Sequence, residues 1–151
     1  MPVSAFGARP EIWEVMMRPN PFIHTTTTGG NPLAAAAAIA AINVTLEENL
    51  PQVAAEKGRY FKAGLEQLAQ TYDSVYEKVT GKGLLIGQHF HTAELGYKVA
   101  AGLFKRGVLV AGTLTSAKTI RIEPPIYITQ EQMDTVLNRL EDTLVEMKAG
   151  L

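Results

Sequence analysis

The chain has 151 residues, 46% of them hydrophobic, with 14 Lys and Arg against 15 Asp and Glu, a net charge of -1 and no Cys. That length and apolar content suit a packed domain, or one and a small remainder, and exclude a disordered tail. The charge balance leaves no basic excess for nucleic acid, and the lack of Cys excludes a disulfide scaffold or a thiolate metal site.

Residues 1–10 have no apolar signal-peptide core. The longest apolar stretch, 33–42, falls far short of the roughly 20 residues that span a bilayer. A soluble, cytoplasmic protein without membrane contact is expected.

Residues 1–8 are small and apolar and predict a short strand or loop. Pro10 suits the first turn of a helix over 11–18. Ile12, Trp13, Val15, Met16 and Met17 cover more than one face of it, which predicts burial on more than one side. Residues 22–28 are extended by propensity and are broken by Gly29 and Gly30. Asn31 is a good N-cap and Pro32 a good first residue for a helix over 33–49. Its alanine run, 34–38, has the highest helix propensity available. Pro51 opens a further helix in which Phe61, Leu65, Leu68 and Tyr72 recur at helical spacing.

From residue 75 strands and helices interleave. Residues 75–79 predict a strand, Gly81-Lys82-Gly83 a turn and 84–90 a second strand. Thr92 caps a helix over 93–106 with Leu95, Val99 and Leu103 inward, and Gly107 ends it. Residues 108–110 predict a short buried strand. Over 119–123, Ile120 and Ile122 share one face and Thr119, Arg121 and Glu123 the other. Pro124-Pro125 stops that strand. Thr129 and Gln132 form a capping box for a last helix, whose apolar stripe holds Met133, Val136, Leu137, Leu140, Leu144 and Met147. Its acids Glu131, Asp134, Glu141, Asp142 and Glu146 predict a solvated face. The second half is a small sheet covered by helices, whereas the first half has helices and no sheet of its own.

Two places suit chemistry. His24-Thr25-Thr26-Thr27-Thr28-Gly29-Gly30-Asn31-Pro32 joins hydroxyls, two glycines and a helix N-terminus, a combination that suits a phosphate. From spacing alone, a plain strand entering a capped helix suits it better. Arg121, mid-strand between two isoleucines, needs an anion. A ligand carboxylate fits its fork, and so does a structural glutamate on a neighbouring element. His89 and His91 share a face, but His24 is remote in sequence and there is no His-Glu-x-x-His, so no metal site is expected.

Met1-Pro2 with Ala5, the run from His24 to Leu33, Gly81-Lys82-Gly83-Leu84 and Thr119-Ile120-Arg121-Ile122-Glu123-Pro124-Pro125 follow the order seen in class III aminotransferases, which depend on pyridoxal 5'-phosphate. The resemblance covers essentially the whole chain. Val108 to Leu114, followed by Ala117 to Pro125, most resembles members that take a diamine such as putrescine, with 2-oxoglutarate as acceptor.

The resemblance implies an α/β chain, the C-terminal part of a fold-type I enzyme with helices and a small, mainly antiparallel sheet. Residues 1–45 would end the large cofactor domain, and 46–151 would form the small C-terminal domain. The Schiff-base lysine of the family lies upstream of the Met-Pro pair, so no catalytic residue is expected within 1–151. Thr27 matches the threonine that crosses the dimer interface to the cofactor phosphate, with Thr28 and Gly29 beside it. Thr28 replaces the family's usual aromatic. Arg121 matches the arginine that receives a substrate carboxylate. The implied partners are a second copy, docked through the segment from His24 to Leu33, a small-molecule amine and a 2-oxo acid.

Overall fold

The computed structural model describes residues 1–19, 21 and 24–149. It divides into two compact units, Met1–Asn49 and Leu50–Leu151.

The first unit holds α1 (Pro10–Met17) and α2 (Pro32–Glu47). Pro10 and Pro32 each occupy a first helical turn, where no N–H is needed. Asn31 caps α2, its Oδ1 accepting from the Ala34 N–H at 3.1 Å. Phe6 stacks on Trp13 with ring centroids 5.2 Å apart, and His24 meets Phe6 edge-on at 5.3 Å. Neither helix has a buried residue. The burial expected for α1 is absent within the unit: Ile12, Val15 and Met17 are exposed. So are Leu33, Ile39, Ile42 and Leu46 of α2.

The second unit runs α3 (Leu50–Thr71), β1 (Tyr76–Lys82), β2 (Leu85–Phe90), α4 (Ala93–Lys105), β3 (Ala111–Gly112), β4 (Thr119–Ile122) and α5 (Gln130–Ala149). The sheet order is β1-β2-β4-β3, antiparallel throughout. Helices and this small sheet make the architecture that the sequence pattern predicts. Ile86, Gln88 and Phe90 of β2 point inward with Ile120 and Ile122 of β4. The four apolar residues among them meet Phe61, Leu65 and Leu68 of α3, Val99 and Leu103 of α4, and Leu140 and Leu144 of α5 in one core cluster.

The caps fall where the residues place them. Thr92 Oγ1 accepts from the Leu95 N–H at 3.2 Å. Thr129 and Gln132 bond reciprocally, each backbone N–H donating to the other's side chain at 2.9 and 3.2 Å.

Three local expectations are corrected. Residues 108–110 are not a strand. Gly107, at φ 75, lets its N–H reach the Phe104 carbonyl at 2.9 Å and the Val108 N–H reach that of Leu103 at 2.9 Å. This Schellman closure spends the Val108 donor on the helix end. Pairing begins only at β3, where Ala111 faces Arg121. Gly81 and Lys82 are strand, paired with Ile86 and Leu85, so the turn is Gly83-Leu84. Gly83 takes the positive φ of 56 that this tight connection requires. Within 22–28, Thr27 and Thr28 lie in a turn with Gly29 and Gly30, closed by the Asn31 N–H donating to the Thr28 carbonyl at 3.2 Å. Phe22 and Ile23 lie outside the described residues.

The last helix is less uniformly solvated than its acids suggest. Tyr60 donates its hydroxyl to Asp134. Arg106 Nη2 donates to Glu146 at 2.6 Å, and this bond and charge hold the Glu146 carboxyl below its usual range. A carboxyl depressed by folding contributes stability above its unfolded pKa and loses it as pH falls through the folded one. Glu146→Gln should therefore melt with a slightly shallower loss on acidification below about pH 5, measured by thermal scans across pH. The pair is exposed, so the difference is small.

No single described helix is long and apolar enough to cross a membrane. The pair α2 and α3 passes together by length and composition only. Phe61, Leu65 and Leu68 of α3 are buried in the core described above.

Candidate active-site elements

Thr27, Thr28 and Gly29 are exposed in the turn ahead of α2. Among the described residues, no hydrogen bond engages the Thr27 or Thr28 hydroxyl. A Cβ at Gly29 would stand 2.6 Å from Thr26 Cγ2, an exposed side-chain methyl that must turn to make room. Two free hydroxyls on a glycine turn beside the positive end of a 16-residue helix suit a phosphate.

Arg121 projects from the face of the sheet opposite the helices. Its strand neighbours Ile120 and Ile122 are 3% and 5% exposed, whereas the Arg121 side chain is 45% exposed. Its Nε donates to the Gly112 carbonyl at 3.3 Å, and its Nη1 lies 2.9 Å from Glu123 Oε1. The glutamate partner is thus two residues along the same chain segment, not on a neighbouring element as expected. Alternation along the strand placed Arg121 and Glu123 on one face and could have marked the pair. Cross-strand from Arg121 is Gly87, which offers no side chain to cover the guanidinium. Among the described residues, Nε and one Nη1 donor are engaged. Both Nη2 donors and one on Nη1 remain for a further acceptor.

The histidines have other employment. His89 sits between two threonines, Nε2 at 2.8 Å from Thr80 Oγ1 and Nδ1 at 3.1 Å from Thr119 Oγ1. His91 Nε2 lies 2.8 Å from the Asp73 carbonyl. Among the described residues, no group of three or more His, Cys, Asp or Glu could hold a metal ion.

Among the lysines, Lys57 donates to the Ile126 carbonyl at 2.8 Å. Lys62 and Lys98 pair with Glu66 and Glu94 one helical turn away. The cavity between α4 and α5, about 300 Å³ and lined by Leu95, Tyr97, Thr143 and Met147, does not include Arg121.

Residues 1–144 match the family Aminotransferase class-III. The chain belongs to the class III aminotransferases, a family dependent on pyridoxal phosphate. It is similar to an acetylornithine aminotransferase from Elizabethkingia anophelis, at 35% identity and a TM-score of 0.72, covering 82% of this chain and 32% of that one. It is similar to an ornithine aminotransferase from Toxoplasma gondii, at 26% identity and a TM-score of 0.76, covering 91% of this chain and 32% of that one. A transaminase solved with L-alanine matches at 28% identity and a TM-score of 0.76, covering 93% of this chain and 35% of that one. The chain thus spans about a third of the length of these structures.

Proposed function

We propose that this chain is the C-terminal part of an aminotransferase that moves an amino group from a diamine such as putrescine to 2-oxoglutarate. Residues 1–45 end its cofactor domain, and 46–151 form its small domain. The observation that carries this reading is the family match over 1–144 together with a guanidinium, on the face of the sheet opposite the helices, whose Nη2 has no partner among the described residues. The similarity of 108–125 to diamine-using members supports the donor. The 35% identity to an acetylornithine aminotransferase favours, as a second reading, another ω-amino donor such as ornithine.

When bound, the cofactor supplies the electron sink, and the lysine that holds it lies outside this chain. The work of this chain is positioning. The Thr27 hydroxyl, with Thr28 and the Gly29 turn, holds the phosphate of a partner subunit's cofactor, as the free hydroxyls suit. That role requires a homodimer joined through 24–33, and the uncovered apolar surface of α1 and α2 supports such contacts. Arg121 takes a carboxylate of the oxo acid and fixes the orientation of the bond to be changed. Putrescine has no carboxylate, so Arg121 serves the acceptor half.

In the complete enzyme, Arg121→Lys should slow the half-reaction with 2-oxoglutarate by roughly tenfold or more, because lysine keeps the charge but not the parallel donors. The half-reaction with putrescine should change little. Single-turnover absorbance of the cofactor reads the two halves separately. Equal losses in both, with a fallen melting temperature, would make Arg121 a structural residue.

A further inference from the structure

Helices α4 and α5 touch closely at Gly102 and Thr143. A Cβ at Gly102 would stand 2.3 Å from Thr143 Cγ2, so no side chain of α4 separates the helices there. Beside that contact the small Ala101 leaves the wall of α4 low, and a cavity of about 300 Å³ opens. Leu95 and Met147, both packed against the core, give it apolar lining, and the exposed Tyr97 stands at its rim. A space of this order, apolar with a few polar groups at its edge, suits a small molecule. Lys98 and Lys105 line it as well. They are two helical turns apart and so lie on one side of α4, roughly 10 Å from each other along its axis. Glu94 pairs with Lys98 at 2.8 Å, and Glu146 on the opposite wall pairs with Arg106 at 2.6 Å. Lys105 makes no ion pair or hydrogen bond with the described residues. The two pairs cancel, and the Lys105 ammonium leaves the mouth of the cavity positive.

We propose that this cavity binds a free amphiphilic monocarboxylate, a short apolar chain with one anionic head. The chain lies against Leu95, Ala101 and Met147 and so leaves water. The carboxylate meets Lys105 at the mouth and gives that ammonium the acceptor it lacks. A neutral chain gains the apolar contact alone, and an alkylammonium meets Lys105 as a like charge. Thr143, on the floor, already donates its hydroxyl to the Arg139 carbonyl at 2.8 Å. A membrane surface fits less well, because anionic lipids bind clusters of free cations, and here Glu94 and Glu146 already hold Lys98 and Arg106. None of Thr27, Thr28, Gly29 and Arg121 lines the cavity, so the proposal does not depend on the aminotransferase reading.

The probes are octanoate, 1-octanol and octylammonium, each dissolved as monomers and titrated into the 151-residue chain. Methyl signals of Leu95 and Met147 report the cavity, and those of Leu65, fully buried against other elements, serve as the control. Octanoate should shift the first two saturably and leave Leu65 in place. Octylammonium should bind more weakly than octanoate. Lys105→Gln should weaken octanoate roughly two- to fivefold, the scale of one exposed ion pair, and leave 1-octanol unchanged. Ala101→Leu keeps a good helix former and fills the cavity, so it should abolish the response to both octanoate and 1-octanol. Should Ala101→Leu fold poorly, the Lys105→Gln comparison decides alone. Octanoate that leaves Leu95 and Met147 unmoved, or that acts only once micelles form, overturns the proposal. So does a Lys105→Gln protein that binds octanoate as the parent does, which would make the cavity an apolar cleft with no preference for anions.

Discussion

Gly58→Ala should lower the melting temperature of this protein by about 10–20 °C, although alanine is the better helix former by roughly 1 kcal/mol. Gly58 lies within α3, where the helix crosses the β1–β2 turn. A Cβ there would stand 2.2 Å from the Gly83 carbonyl oxygen and 2.3 Å from its carbon. Both are backbone atoms, so no rotamer change relieves the overlap. Nor can the turn move freely: Lys82 pairs with Leu85 on either side of it, and Leu84 is buried in the core. The helix must lift from the sheet and open the packing around Phe61 and Ile86. Overpacking against rigid backbone costs about 2–3 kcal/mol. Gly102→Ala is the instructive contrast. Its Cβ would meet Thr143 Cγ2, a side-chain methyl, at 2.3 Å. Thr143→Ser removes that methyl and should restore most of the loss, whereas no side-chain deletion should rescue Gly58→Ala. Thermal melts of the four proteins decide it. A Gly58→Ala protein that melts with the parent would show that α3 and the turn are not in contact in solution.

Much of this fold was legible because its signals are local. The caps at Asn31, Thr92 and Thr129 need only one side chain and the next turn of backbone. The stripe of Phe61, Leu65 and Leu68, and the alternation of Ile120, Arg121 and Ile122, follow from the helix and strand periods alone. What sequence could not supply depends on competition for backbone donors and on contacts across the fold. Residues 108–110 have strand composition, but the helix end claimed the Val108 N–H first. Gly58 reads as a weak helix residue until Gly83 is found against it.

The site elements divide in the same way. Arg121 and the threonines stood out as residues whose chemistry needs a partner. Glu123, though on the same face, was hidden by the search for an acid on another element. Its bond depends on how Arg121 bends back toward Gly112 across the β3–β4 pair. The exposed apolar face of α2 was legible as composition. What covers it is not encoded in any local pattern.

A double-mutant cycle at Tyr76 and Gln88 should give the largest departure from additivity in the sheet. The Gln88 side chain is fully buried, and Tyr76 is 3% exposed. The Tyr76 hydroxyl donates to Gln88 Oε1 at 2.6 Å, while Gln88 Nε2 has no hydrogen-bond partner among the described residues. Tyr76→Phe strands the whole amide and should cost about 1–3 kcal/mol. Gln88→Leu removes the orphaned donors but strands the phenol, so gain and loss partly cancel. The double variant removes every polar atom of the pair and keeps the volume. It should match or exceed the parent, because a half-satisfied buried pair is worth less than an apolar core. The alkaline limb checks the same burial independently. Burial pushes the Tyr76 phenol well above its ordinary value of 10.0. A group raised by folding contributes stability below its unfolded pKa and loses it as pH rises toward the folded one. The parent should therefore weaken above about pH 10 more steeply than Tyr76→Phe or the double variant. Additive single costs, with all alkaline limbs parallel, would show that water reaches Gln88 and that the pair is not dry.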